Sequence, residues 1–321
     1  MHCFRDLSNR VLPIIVSVIG FVVSHSETVG QENPPITDIA FSPDGKSVVA
    51  CSQTGLEIFA WPSLKSTKKV SLSIANLHCV RFAPNGKRFA VGGGNPSEEG
   101  IVEIYSWPEC KLLKTLADHD DSVRSMVFDG NDKLITASMD RTVAVWDIES
   151  EKVTRTLKGH SRSVNAVQIL KGGEIVTAGD DLSLRVWSRE SEKPRRNLRQ
   201  HTKPVLKLSL RPESEGLNVL ASAGRDRTIR FWQPKIGRMM RFIRLDSEPL
   251  DIIWLDKNRV AVSCVDGKVR FVNFEDVELL GEMEGLGEWA YAIAMSPGGD
   301  ALVVGGAQGN LRRLDLRSLR K

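Results

Sequence analysis

Thr136–Ser150 reads TASMDRTVAVWDIES, and forty-one residues on Thr177–Ser191 reads TAGDDLSLRVWSRES. Ser222–Gln233 restates the phrase as SAGRDRTIRFWQ. Each copy keeps an Asp six residues ahead of a Trp: Asp140 and Trp146, Asp181 and Trp187, Asp226 and Trp232. The residues between them change. His119, His160 and His201 precede the copies at intervals of 41 and 41. Self-similarity at a period near 40 signals stacked supersecondary units. Within each period lie four short segments rich in Val, Ile, Leu and Phe, separated by turn residues, which is strand chemistry.

Weaker copies follow once the frame is known. They begin ITDIAFSPDG at Ile36, LHCVRFAPNG at Leu77, LDIIWLDKNR at Leu250 and YAIAMSPGGD at Tyr291. Seven copies of about 42 residues fill 27–321. These phrases resemble the WD-repeat (WD40) β-propellers, and the likeness covers nearly all of 27–321. The family places Gly-His before a first strand, Ser or Thr in a second, Asp in the next turn and Trp-Asp at the end of a third. His119, Ser138, Asp140, Trp146 and Asp147 match this pattern, with Asp118 in place of the Gly. The resemblance implies an all-β fold: a seven-bladed propeller of four-stranded antiparallel blades.

Why would the pattern persist? A buried Asp needs donors, which an imidazole can supply, and a hydroxyl and an indole N–H can extend the chain of bonds. Such a staple tolerates change between its members and not at them. His160, Asp181 and Trp187, and His201, Asp226 and Trp232, repeat it, but Gly179 and Gly224 stand where Ser138 does, so their hydroxyl link is expected to be missing. Phe59, Tyr105, Val272 and Leu314 replace the Trp in the other four copies, which are expected to rely on apolar packing between sheets. The last copy stops short of its fourth strand. Glu27–Gln31 is expected to supply it, pairing with Asn310–Asp315 and removing an open edge.

Residues 1–26 differ from the rest. MHCFRDLSNR carries Arg5 and Arg10, the run VLPIIVSVIGFVV is apolar and uncharged, and Ser24 and Ser26 suit a cleavage site. That is a signal peptide pattern, implying export to the periplasm or outside the cell, with an uncleaved membrane anchor as the rival. The run is short for a spanning helix, which needs roughly 20 apolar residues. The resemblance then implies a bacterial exported member of the family. Cys3 would leave with the signal. Cys51, Cys79, Cys110 and Cys264 show no CxxC spacing, and Cys51, Cys79 and Cys264 read as buried thiols. A net charge of +4 on 321 residues is mild and gives no sign of a nucleic-acid face.

Candidate chemistry is sparse. Ser138, His119 and Asp140 contain the residue types of a hydrolytic triad, but no G-x-S-x-G elbow surrounds the Ser. Histidines at blade spacing cannot converge on one metal; His78 with Asp38 and Asp251 is the one constellation near the channel. VGGGNPSEEG (Val91–Gly100) lacks the Lys and helix of a phosphate loop and reads as a long turn. KPRRNLR (Lys193–Arg199) and RMMRFIR (Arg238–Arg244) could form a basic rim for anionic polymers or membrane surfaces.

Partner proteins of this family dock on the face carrying the histidine turns, commonly at the residue before each first strand. Here that position reads Pro35, Asn76, Ser122, Ser163, Pro204, Pro249 and Trp289. Trp289, with Arg141, Arg162, Lys203, Arg225 and Arg227 in neighbouring turns, is the candidate partner-binding set. The expectation is a non-catalytic protein-interaction scaffold without cofactor, metal or nucleic acid, a monomer or part of a hetero-complex. Alternatives are a channel-mouth ligand binder or hydrolase-type enzyme, and a polymer or membrane binder using the basic rim.

Overall fold

In the computed structural model, residues 33–212 and 218–319 are described. They form seven antiparallel sheets, six of four strands and one of three, each built from strands consecutive in sequence. Blade one spans Ile36–Val70, blade two Cys79–His119, blade three Val123–Lys158 and blade four Val164–Leu198. Blade five spans Val205–Arg244, blade six Pro249–Glu284 and blade seven Ala290–Asp315, followed by a single 3-10 turn at Leu316–Leu319. This is the seven-bladed propeller. The proposed closing strand at Glu27–Gln31 and the signal segment 1–26 lie outside the described residues.

The middle strands explain the fold. SVVACS, RFAVGG, KLITAS, IVTAG, LASAG, RVAVSC and ALVVGG are buried along nearly their whole length, because neighbouring blades cover both faces. Continuous apolar runs are what such doubly covered strands require. The outermost strands, such as Lys65–Val70 and Leu279–Glu284, are mostly exposed.

Seven apolar clusters form the core, each joining adjacent blades rather than lying within one. Ile36, Ile39, Val48 and Ala50 of blade one pack with Ala292, Ala294 and Val303 of blade seven. The ring is therefore closed by packing between its first and last blades.

Two β-bulges recur. One lies in the outer strand pair at the Trp position, between Val145 and Trp146, Val186 and Trp187, and Phe231 and Trp232. The other, in the first strand, leaves out of register Thr37, Asn165, Leu206, Leu250 and Tyr291. Bulges re-aim side chains. These inner ones turn a ring of residues toward one mouth of the channel.

Candidate functional site: staples, channel and mouth

The staple is built differently from the sequence expectation. Trp146 Nε1 donates to Thr136 Oγ1 at 2.8 Å, and His119 Nε2 lies 2.7 Å from the same hydroxyl. His119 Nδ1 reaches Asp140 at 2.7 Å. With a neutral imidazole the direction is fixed: indole N–H to hydroxyl, hydroxyl to Nε2, Nδ1–H to carboxylate. Ser138 is not a member. It donates to the Asp121 carbonyl at 2.6 Å and receives the Asp140 amide at 3.1 Å. The reason is register. Trp146 lies opposite Leu134, so its diagonal neighbour is Thr136 and Ser138 is two residues too far.

The same correction restores the staples of blades four and five. Thr177 bridges His160 (2.8 Å) and Trp187 (2.9 Å), while His160 meets Asp181 at 3.0 Å. Ser222 bridges His201 (2.7 Å) and Trp232 (2.8 Å), and His201 meets Asp226 at 2.9 Å. Gly179 and Gly224 interrupt nothing. The signal was present in the sequence: each repeated phrase opens on a hydroxyl residue ten positions before its Trp. His119 closes the outermost strand of blade two yet bonds the turn of blade three, so each staple also ties successive blades.

Burial alone would raise the Asp140 carboxyl, but bonds from His119 and Thr142 outweigh it and bring it to about 2. Asp181 and Asp226 are held below the usual carboxylate range by the same balance. Burial lowers the His201 imidazole, against the pull of Asp226. A Ser138–His119 pair suited to nucleophilic attack does not exist, because the imidazole nitrogens are taken by Thr136 and Asp140.

The blades without Trp are not all apolar. Fully buried Glu103 of blade two accepts hydrogen bonds from the hydroxyls of Tyr105 and Ser73. In blade six the Arg270 guanidinium clasps Asp266 at 3.0 and 2.7 Å. Arg185 and Arg230 approach Asp181 and Asp226 at 3.4 and 3.7 Å, and Arg312 donates to the Gly285 carbonyl at 2.8 Å. The periodic arginines serve the repeat.

The basic rim resolves into a row of buckles. Lys68, Lys114, Arg155, Arg196 and Arg241, on the outermost strands of blades one to five, each donate to a backbone carbonyl of the next blade. The acceptors are Glu109 (2.8 Å), Glu149 (3.1 Å), Ser188 (3.1 Å), Lys235 (2.9 Å) and Phe274 (2.9 Å). Each donor occupies one register position, opposite Ile58, Ile104, Val145, Val186 and Phe231 respectively. In blade six the matching position, opposite Phe271, holds Gly281. Arg196 and Arg241 are thus committed to the ring.

Most polar groups of the channel are similarly committed. Asp38 accepts the Val80 amide at 3.0 Å and pairs with Arg81; Asp251 accepts the Ile293 amide at 3.1 Å. Asn165 and Gln168 donate to the carbonyls of Val205 (3.0 Å) and Leu208 (3.2 Å). All are joints between first strands of adjacent blades. Asp38 and Asp251 line a cavity of about 280 Å³, whereas His78 lines a separate one at the histidine-turn end. His78 is not drawn to them: its Nδ1 lies 3.3 Å from an Arg124 nitrogen, an arrangement that keeps the ring neutral. Burial, with Arg124 and Lys207 nearby, brings the His78 pKa to about 3. Among the described residues, no group of three His, Cys, Asp or Glu side chains could hold a metal ion.

At the histidine-turn end the channel opens through one residue per blade: Thr37, His78, Arg124, Asn165, Leu206, Leu250 and Tyr291. Trp289, 51% exposed, stands beside the mouth with its ring 5.8 Å from that of Tyr291. Of the other positions before first strands, Ser122 is fully buried and donates to the Gly94 carbonyl at 2.9 Å. In blade six that position is Glu248, not Pro249. The Glu248 carbonyl receives the Val265 amide, as the Trp289 carbonyl receives that of Ala307. Glu248 Oε1 also lies 3.4 Å from Arg225 Nε. Arg225 lines the mouth, while Arg141, Arg162, Lys203 and Arg227 are exposed in turns or links at the same end. Arg141 and Arg227 occupy left-handed turn positions, with φ of 74° and 62°. The long Val91–Gly100 turn is pinned by Asp121, which accepts the Ser97 amide at 3.0 Å.

A family model described as the IFT122 first beta-propeller matches residues 35–315. The UBP9-binding protein bun62 of Schizosaccharomyces pombe is 30% identical over 120 residues, 35% of this chain and 21% of that protein. The WD repeat-containing protein AAC3 of Dictyostelium discoideum is 32% identical over 138 residues, 41% of this chain and 26% of its own length. WD repeat-containing protein 1 of Rattus norvegicus is 25% identical over 140 residues, covering 42% and 22% respectively. The matches thus span about a fifth to a quarter of these curated relatives. With a propeller model matched from the first blade to the last, and seven blades found in the fold, the chain belongs to the WD-repeat β-propeller family.

Proposed function

We propose that this chain is a non-catalytic protein-interaction scaffold that docks partner proteins on the histidine-turn end of the ring. The observation that carries this reading is Trp289, a large aromatic left half exposed at the channel mouth and braced by Tyr291. Exposed Trp flanked by Arg is the composition of an interface anchor. Arg225, Arg227, Arg141, Arg162 and Lys203 supply charge around it. The channel supports catalysis poorly, because its carboxylates and amides are bonded to neighbouring blades. The bun62 relative is named for binding another protein, which agrees with the family's scaffold character. Export through the segment 1–26 belongs to the same proposal, on the strength of its charged start, apolar run and small residues; sequencing the mature N-terminus tests it.

Affinity capture from a cell-envelope fraction tests the docking face. A triple variant, Trp289→Ala, Arg225→Ala and Arg227→Ala, is compared with the unaltered chain, both shown to be folded. Proteins retained by the unaltered chain and lost by the variant support the face. Identical capture by both sinks the choice of face, and no capture by either sinks the scaffold reading.

A further inference from the structure

The channel mouth carries a charge imbalance that the blade joints do not explain. Arg124 of blade three, Lys207 of blade five and Arg225 from the blade-five turn surround a cavity of about 130 Å³. Deeper in the channel the charges are matched, since Arg81 sits on Asp38. At the mouth they are not. Arg225 is partly balanced by Glu248 at 3.4 Å. The hydrogen-bond neighbour of Arg124 is the His78 ring, a neutral acceptor at 3.3 Å. Asp180 and Asp121 attract it from beyond ion-pair distance, their oxygens being taken by the Asn165 amide at 2.7 Å and the Ser97 amide at 3.0 Å. Lys207 senses Asp251, whose carboxyl is pushed up by burial and is turned to the backbone amides of Ile252 and Ile293. Positive charge in a narrow, low-dielectric opening focuses its field outward and collects anions.

Size narrows the ligand. A cavity of about 130 Å³ is well below the ~300 Å³ at which cofactor and drug-sized sites begin. One carboxylate or phosphate group fits, but not a nucleotide. Guanidinium and ammonium groups are the usual partners of both. Tyr291 lines the cavity and touches Trp289 outside it, so the anion and the chain that bears it would have adjoining contacts.

We propose that this mouth is an anion-binding site, in which Arg124, Lys207 and Arg225 hold one carboxylate or phosphate group borne by a docking protein, with Tyr291 and Trp289 contacting its flanking residues. The proposal rests on the docking-face reading above and adds the chemistry of the contact.

The test titrates inorganic phosphate and acetate into the full chain, followed by calorimetry and by Trp fluorescence. Arg124→Gln and Lys207→Gln are compared with Lys69→Gln, an exposed cation on the outermost strand of blade one, and thermal unfolding verifies each fold. Millimolar binding, weakened about tenfold or more by the first two variants and unchanged by the third, is expected. Absence of binding in the unaltered chain, or equal weakening by Lys69→Gln, overturns the site. The same variants enter the capture assay. A partner lost on Trp289→Ala but kept by Arg124→Gln and Lys207→Gln overturns the anion contact and leaves the docking face standing. Phosphate bound at the mouth with no partner captured overturns the protein-borne source and assigns the site to a free anion.

Discussion

Trp146 Nε1 and Thr136 Oγ1 lie 2.8 Å apart, and that contact joins the third strand of blade three to its second. Both groups are fully buried, and the hydroxyl also serves His119, so three strands and the intervening turn depend on one oxygen. The arrangement recurs at Thr177 and Ser222. Where Trp is absent, the matching slot holds Ala50, Val91, Val262 or Val304. Indole and hydroxyl are retained or lost together.

Thr136→Val keeps the shape of the side chain but strands a buried indole N–H and an imidazole nitrogen. It is expected to cost about 3 kcal/mol in urea unfolding, at ~1–3 kcal/mol for each unpaired group. Thr136→Ser should recover most of that loss. Ser138→Ala, which removes one bond to the Asp121 carbonyl and one from the Asp140 amide, should cost about 1–2 kcal/mol. Equal losses for Thr136→Val and Ser138→Ala would refute the register assignment.

Much of this fold was legible before the structure: the period, the strand chemistry and the positions of His, Asp and Trp specify blades. The hydroxyl was misplaced because sequence alignment fixes which strand a residue occupies but not which diagonal neighbour it meets across the pair. Pro249 stood in for Glu248 for a similar reason, a one-residue offset at a bulge. The buckles were unreadable from sequence. Lys68, Arg155 and Arg241 look like ordinary solvated charges until the next blade's carbonyls are placed beside them.

Acid should destabilise the protein in two windows. His78 has a folded pKa of about 3, below an unfolded value near 6.5. The unfolded chain therefore binds more protons, and stability falls as pH drops from 6.5 toward 3, by roughly 4 kcal/mol at most. Asp140, at about 2, contributes above the ordinary Asp pKa and loses ~2 kcal/mol as pH falls from about 4 to 2. Urea midpoints measured from pH 7 to 3 should decline, and His78→Gln should flatten that decline. An unchanged slope in the variant would show that His78 is not the responsible group.

Replacing a buckle should weaken the ring, whereas replacing a rim charge that only faces solvent should not. Arg241→Met removes bonds to the Phe274 and Glu275 carbonyls and a stack 5.0 Å from the Phe274 ring. A loss of about 1–2 kcal/mol is expected. Arg195, largely exposed and 3.8 Å from Glu174, should change stability by less than about 0.5 kcal/mol on mutation to Met. Comparable losses would return both residues to a generic basic edge.

Both tyrosines should resist ionisation. Burial and the Glu103 contact raise Tyr105, and burial raises Tyr291. The folded chain should show little tyrosinate absorbance near pH 10, while the urea-unfolded chain titrates there. Stability must then fall as pH rises past 10, because the unfolded phenols release protons that the folded ones retain. Ordinary titration of the folded protein would contradict the Glu103–Tyr105 contact.

Gly281 gives the ring a preferred place to yield. Five successive blades are fastened at their outer rims, but at the sixth the register position has no side chain to reach across. The seam between blades six and seven keeps the Asp251–Ile293 joint and the Arg312 bond but lacks a rim buckle, so amide exchange there should outpace that between blades three and four. Blade seven also carries Trp289 and Tyr291. The aromatic pair therefore belongs to the blade beside that seam, and exchange there no faster than between blades three and four would show that the missing buckle leaves the ring equally tight all round.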